Sequence, residues 1–206
     1  MYLDVFDANP YGTNCWLLAA DGSDEAVVVD PGFEPAAVRA LLLAAGIRPA
    51  AVLLTHAHVD HAGTAGDFAA DDLPVFIHEA DAPAFTDPAL WNPGFENQLA
   101  PVKDLRTLVD GAVLDFAGFS FEVQHTPGHT PGHCVFVTDA IVLSGDLVFA
   151  GSIGRSDLPN SDPAAMRESL VRFLKLEDEL PVLPGHGPRT TVGRERARNP
   201  FLVGLG

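Results

Sequence analysis

The sequence is short of positive charge. Twelve lysines and arginines stand against 28 aspartates and glutamates in 206 residues, a formal net charge of −16, and no basic block interrupts the acidity. Such a surface repels phosphate backbones and anionic headgroups, so nucleic-acid binding is not expected. Cysteine is equally scarce. Cys15 and Cys134 lie far apart, which gives no disulfide framework, and Met1-Tyr2-Leu3-Asp4 lacks the basic and apolar regions of a secretory signal. The cytoplasm is the expected compartment. No apolar run reaches the ~18 residues of a spanning helix, because Arg39 breaks the best candidate around Leu41-Leu42-Leu43. No membrane partner is expected either, and no feature bears on oligomeric state.

What is present suits a buried core. Hydrophobic residues make up 47% of the chain and charged residues 19%, and the length fits one domain spanning residues 1–206. Short runs rich in Val, Ile, Leu and Phe end repeatedly in Gly, Pro, Asp or His, which predicts strands delivering loops to one edge. They cover residues 26–29, 51–55, 75–77, 119–124, 134–137, 141–143 and 181–183, with hairpin-like strands before them. Helices are predicted over 35–45, with Pro35 at the start and Gly46 at the stop, over about 62–70, and over 163–176 behind Ser161-Asp162. The segment 82–105 is the least patterned, carrying Pro83, Pro88, Pro93 and Pro101 with Trp91 and Phe95. A lid on the substrate side and a plain surface excursion explain it equally well.

The informative stretch is Thr55-His56-Ala57-His58-Val59-Asp60-His61. Four ligand-type side chains fall within six residues at the end of a strand. His56 and His58, two apart in extended chain, point the same way, while Asp60 and His61 enter the next helix and face elsewhere. One segment thus offers two imidazoles to one cation and a carboxylate with an imidazole to a second nearby. Without a metal, the same residues would make a polar turn with Asp60 as a helix cap. Three more candidates end apolar runs beside glycine: His129 after Gly128, Asp146 after Gly145, and His186 after Gly185. Glycine permits sharp backbone turns next to a bound ion. The seven make a nitrogen and oxygen donor set that suits two divalent metals, with zinc expected and iron or manganese compatible.

These residues resemble, position by position, the HxHxDH…H…D…H signature of the metallo-β-lactamase-fold hydrolases, and Asp30-Pro31-Gly32 is similar to that family's early strand-end motif. The resemblance implies that His56, His58 and His129 hold the first metal, that Asp60, His61 and His186 hold the second, and that Asp146 bridges them. It implies an α/β fold, an αββα four-layer sandwich with the metals at one edge of its two sheets. A doubly wound α/β sheet accounts for the periodicity equally well, so the sandwich rests on the resemblance. A metal pair can lower the pKa of bound water to about 7 and polarise a carbonyl, which implies hydrolysis by a metal-held hydroxide. Asp60 and Asp146 are the implied catalytic carboxylates, with Asp60 placed to orient the nucleophile or accept its proton.

Gly154-Arg155-Ser156-Asp157 and the tail from Gly185-His186-Gly187-Pro188 to Asn199-Pro200-Phe201 resemble the compact glyoxalase II-like subgroup, which implies a small-molecule thioester substrate. Only 20 residues follow His186, where true glyoxalase II proteins add a domain with glutathione contacts. A thiol other than glutathione, or another small ester or lactone, is therefore compatible. The principal alternative is the persulfide dioxygenases, which share the ligand set and imply a single iron on His56, His129 and Asp146. Common zinc β-lactamases place Cys where Asp146 stands, and flavodiiron proteins place Glu where His58 stands. A metal-stabilised binding protein without turnover would lack a ligand, and none is missing.

Around the ligands, His125, Asp30 and Thr126 are candidates for outer hydrogen bonds that fix imidazole tautomers, although turn formation alone explains Asp30 and Thr126. His78 and His133 are expected in the core or beside the site. Arg155 and Asp157 are expected as a buried or half-buried ion pair holding the loop after Asp146, with a substrate-carboxylate contact by Arg155 as the sharper alternative. Cys15 and Cys134 are expected as small buried apolar residues rather than nucleophiles.

Overall fold

A computed structural model describes residues 1–70, 72–91, 94 and 99–205. Of the proline-punctuated segment, Pro93 and Phe95 lie outside the described residues. The chain opens with strands β1 (Tyr2–Phe6), β2 (Cys15–Ala19) and β3 (Glu25–Val29), then helix α1 (Pro35–Ala45) and β4 (Arg48–Leu53). Two short helices follow, α2 (Val59–Ala62) and α3 (Ala65–Ala69), and then β5 (Val75–His78). A 3-10 turn (Ala82–Phe85) and α4 (Pro88–Trp91) precede β6 (Leu105–Leu108). The second half runs β7 (Val113–Phe116), β8 (Phe119–His125), β9 (Cys134–Val137), β10 (Val142–Gly145) and a small hairpin of β11 (Val148–Phe149) with β12 (Ser152–Ile153). It closes with α5 (Pro163–Phe173), β13 (Pro181–Pro184), β14 (Thr190–Thr191) and α6 (Val192–Arg198).

Two six-stranded sheets result. The first is ordered β1-β2-β3-β4-β5-β6, antiparallel up to β3 and parallel from there. The second is ordered β14-β13-β10-β9-β8-β7, with β10 and β13 parallel and its other pairs antiparallel. All five residues of β2 are buried, so both of its faces must be covered. Trp16 and Leu18 point into a cluster with Phe121, Phe136 and Leu143 of the second sheet. Leu17 and Ala19 point the other way, onto Val38 and Leu42 of α1 and Phe68 of α3. The far face of the second sheet packs Val135, Val142 and Val182 against Met166, Leu170 and Phe173 of α5. Period-two side chains thus feed two different cores, which is the helix–sheet–sheet–helix sandwich and not a single doubly wound sheet. Truncating the fully buried Phe136 at the centre of the inter-sheet layer would cost about 3–5 kcal/mol.

Most predicted elements appear where local chemistry sets them. α1 spans the expected residues with Pro35 in its first turn, and Gly46 closes it at φ 69°, its N–H reaching the Leu42 and Leu43 carbonyls. Asp162 caps α5 by accepting the Ala164 and Ala165 N–H groups. The expected helix over 62–70 is instead split into α2 and α3. The Gly63 carbonyl accepts Ala100 N–H at 3.0 Å and Thr64 N–H donates to the Gly32 carbonyl at 2.9 Å, so tertiary bonds take the groups a continuous helix would use. α5 stops at Phe173 rather than Leu176, its last turn tightening through Leu176 N–H to the Phe173 carbonyl at 3.1 Å. Among the described residues no helix is long and apolar enough to cross a membrane.

Candidate metal centre

Four chain ends meet at one edge of the sandwich: the loop after β4, the loop between β8 and β9, the end of β10, and the end of β13. His56 and His61 are fully buried, His129 and Asp146 nearly so, and His58, Asp60 and His186 are half-buried. Their donor atoms gather into overlapping triads, each within 4.8 Å: His56, His58 and His129; Asp60, His61 and His186; and His56, His61 and Asp146. Asp146 stands between the first two, with Oδ2 3.5 Å from His129 Nε2 and 3.6 Å from His186 Nε2, and Oδ1 3.3 Å from His61 Nε2. Asp60 Oδ2 is 3.3 Å from His186 Nε2. All seven sequence-predicted candidates are therefore brought together.

Outer partners aim the rings inward. His61 Nδ1 donates to Asp30 at 3.0 Å, and His129 Nδ1 donates to the Arg155 carbonyl at 2.7 Å, which turns each Nε2 toward the cluster. His56 Nδ1 lies 3.0 Å from Thr55 Oγ1, itself bonded to Asp30 at 2.7 Å. Thr13 Oγ1 donates to Asp60 Oδ2 at 3.1 Å. Asp30 holds the Thr55 N–H as well, from a left-handed backbone conformation at φ 51°. Close packing needs glycine at two points. A Cβ on Gly32 would stand 2.3 Å from the Asp60 carbonyl oxygen, and one on Gly185 would stand 2.3 Å from Asp146 Oδ1 and 2.7 Å from His61 Cε1.

The electrostatics favour positive charge. Burial works against ionisation of Asp60, but His61 and His186 beside it hold its carboxyl down at about 2. The Asp146 carboxyl, opposed by burial and favoured by His61 and His129, is held well below the usual carboxylate range. Burial opposes a proton on His61, yet Asp146, Asp60 and Asp30 around it raise it well above the ordinary imidazole value. Burial and the neighbouring histidines keep His56 neutral, and burial with His129 takes His58 down to about 3. Two ionised carboxylates that draw a proton onto His61, beside a neutral His56 and His58, make a field that a bound cation would satisfy in the proton's place. Two atoms point the same way. His56 Nε2 and Asp146 Oδ1 are buried without a hydrogen-bond partner, which a protein interior seldom tolerates unless something else satisfies them. The all-nitrogen-and-oxygen donor set fits divalent metals.

Several outer expectations need correction. His125 is not beside the cluster: its Nε2 donates to the Pro131 carbonyl at 2.8 Å and its ring stacks on His78 at 3.9 Å. Arg155 and Asp157 do pair, at 2.9 and 3.2 Å, but in the open, with side chains 67% and 72% exposed. What Arg155 gives the site from its backbone is the carbonyl that fixes His129. Thr126 acts one step removed, through a bond at 2.9 Å to His133 Nδ1. His133 Nε2 in turn accepts the Asp146 N–H at 3.0 Å. Both cysteines are buried and free, burial pushing their thiols up.

Asp81 had no signal in the sequence. Fully buried, it accepts Ala57 N–H at 3.0 Å and Thr130 Oγ1–H at 2.8 Å on Oδ2, and Gly132 N–H at 2.5 Å on Oδ1. It ties the loop carrying His56 and His58 to the loop carrying His129. Two of its partners are backbone groups, so no side-chain motif betrays them. Asn14 does similar work nearby, donating to the Pro184 and Gly187 carbonyls on either side of His186.

The chain matches the family model described as the metallo-beta-lactamase superfamily over residues 8–186. It is 31% identical to the hydroxyacylglutathione hydrolase GloC of Haemophilus influenzae, with 98% of each chain covered. Among solved structures it is similar to TTHA1623 in a di-iron-bound form, with TM-score 0.83, 41% identity and coverage of 98% of this chain and 100% of that one. It is similar also to BLEG-1 B3 metallo-beta-lactamase, with TM-score 0.85 and 33% identity over the same shares.

Proposed function

Because the chain belongs to the metallo-beta-lactamase superfamily and is a metal-dependent hydrolase, we propose that it is a single catalytic unit that hydrolyses a small thioester at two divalent cations. His56, His58 and His129 would hold one cation, Asp60, His61 and His186 the other, and Asp146 both. The observation that carries the metal pair is the position of Asp146, its two oxygens turned to histidines of both sets. The GloC relative supports a thioester, since its name is that of a thioester hydrolase.

When bound, such ions supply an activated water and a Lewis acid for the acyl carbonyl. The chain's own groups do the rest. Asp60 orients the attacking water and takes its proton, with Thr13 fixing the carboxylate from behind. Asp30 and the Arg155 carbonyl keep His61 and His129 from rotating. Phe149, edge-on to His186 with ring centres 5.7 Å apart, shields that side from solvent. The acyl carbonyl enters from the open side, where His58, Asp60 and His186 are half-buried. The substrate is a small molecule, and neither nucleic acid nor membrane is a partner.

Metal content of protein purified without added metal tests this together with thioester turnover and oxygen uptake on glutathione persulfide. Near two metals per chain, zinc, iron or manganese, with thioester cleavage and no oxygen uptake is the expected result. Near one iron with oxygen uptake would assign the same seven side chains to persulfide oxidation.

A further inference from the structure

A cavity of about 540 Å³ opens onto the candidate metal centre. Its walls beyond the metal-facing residues are mostly apolar: Val59, Trp91, Phe149, Ile153 and Leu158 line it, with Tyr11 and Arg155 as the polar side chains among the described lining residues. Among the described lining residues Arg155 is the one side chain carrying a permanent positive charge, and Asp157 grips its guanidinium on two nitrogens, at 2.9 and 3.2 Å. A thiol such as glutathione brings two carboxylates, and recognising them takes free cations in forked geometry. Asp157 offsets the charge of Arg155 without burying it, so the described lining residues offer no permanent cation without a carboxylate beside it, and the net charge of −16 repels anions from further out. An apolar acyl chain, by contrast, would cover exposed aromatic and branched surface in a cavity of ordinary ligand size.

We propose that the substrate is an uncharged thioester with an apolar acyl chain, and that Asp157, by occupying Arg155, selects against anionic thiols at the pocket mouth. This rests on the thioester reading of the same site. Asp157 is a specificity residue here, acting through Arg155 and not on the reacting atoms.

The test pairs one acyl group on two thiols. Phenylacetyl thioesters of N-acetylcysteamine and of glutathione are compared with metal-replete protein, with benzylpenicillin as a third arm. A kcat/KM at least about tenfold higher for the uncharged ester is expected. Asp157→Asn should narrow that gap by about three- to tenfold, mainly through a lower KM for the glutathione ester, since an exposed pair competes only weakly with a new anion. An equal or better glutathione ester overturns the substrate inference and leaves thioester hydrolysis standing. An unchanged ratio in Asp157→Asn overturns the role of the pair. Turnover of benzylpenicillin alone overturns the thioester reading itself. Pocket chemistry is read apart from turnover by calorimetric titration with the thioethers S-benzyl-N-acetylcysteamine and S-benzylglutathione. Tighter binding of the uncharged one supports the inference, and tighter binding of the glutathione thioether removes it.

Discussion

The two sheets supply one site in opposite styles. The first delivers His56, His58, Asp60 and His61 from a single stretch that runs from the end of β4 into α2, shaped by the adjoining Asp30 and Gly32. The second delivers His129, Asp146 and His186 singly, from three strand ends, and each needs its own support: the Arg155 carbonyl, His133 and Asn14. A contiguous cluster is positioned by its own backbone path. A dispersed one depends on how the strands are packed, and so on the inter-sheet core around Phe121, Phe136 and Leu143. The first half is expected to hold its shape when the core loosens, and the second half to lose it.

The sharpest break is at Asp146, the residue facing both halves. Asp146→Ala should lower activity by at least about a thousandfold and remove most bound metal, since deleting a shared ligand unbalances both ions. Atomic-absorption metal content and steady-state rates decide this, and full retention of both would end the bridging assignment.

Gly185→Ala attacks the dispersed half without removing a donor atom. The new Cβ would fall 2.3 Å from Asp146 Oδ1, so the strand end or the carboxylate must move. Displacing a ligand by about 1 Å is enough to cost roughly a hundredfold in rate, while overpacking of this kind costs about 1–3 kcal/mol in stability. If the variant binds metal like the wild type, with an unaltered rate, the dispersed half is less sensitive than its geometry indicates.

Asp81 links the halves, and its effect depends on pH. Burial raises its carboxyl from 3.8 to about 6, with the bonds from Thr130, Gly132 and Ala57 pulling part of the way back. A carboxyl whose folded value lies above its unfolded one adds stability while protonated and loses it as pH climbs through about 6. Only the ionised form accepts all three donors, so the state that best clamps the loops is the one that weakens the fold. Relative to Asp81→Asn, the wild type should lose about 2 kcal/mol of stability between pH 4 and pH 7. At pH 7 it should nonetheless bind metal about tenfold more tightly than the variant. Urea unfolding and metal titration at both pH values measure the two trends, and a stability difference independent of pH would show that Asp81 stays ionised throughout.

The same contrast explains what could be foreseen. The contiguous half announces itself, because His56, His58, Asp60 and His61 are adjacent in the chain and their spacing is a chemical pattern. The dispersed ligands were visible only through their glycine settings at Gly128, Gly145 and Gly185, and became a set through family resemblance. Supports such as Asp81, Thr13 and Asn14 were not legible, because their partners lie 24 to 173 residues away and many are backbone groups. The sandwich was hidden for a related reason: a strand buried on both faces has the same composition whether two cores or one sheet with two helical layers cover it. The split between α2 and α3 likewise follows from bonds to Gly32 and Ala100 that no local pattern records.

The smallest effect separates two histidines whose roles the structure reverses from the sequence expectation, which favours His125 as the outer partner. His125 and His133 flank the loop that carries His129, but their rings face different tasks. His133 accepts the Asp146 N–H from a fully buried position, so its loss leaves that backbone group unpaired and the bridging side chain without its anchor. Outer partners of this kind typically carry 10–100-fold in metal affinity. His125 stacks on His78 and donates to the Pro131 carbonyl, at the loop's outer margin. Glutamine can reproduce that single donated bond. His125→Gln should therefore change metal affinity by less than about threefold, against the larger loss in His133→Ala. Competition with a chromophoric chelator compares the two variants directly. Equal losses would mean that the loop carrying His129 is held as one rigid body, and that support for the dispersed half is spread along it rather than concentrated at His133.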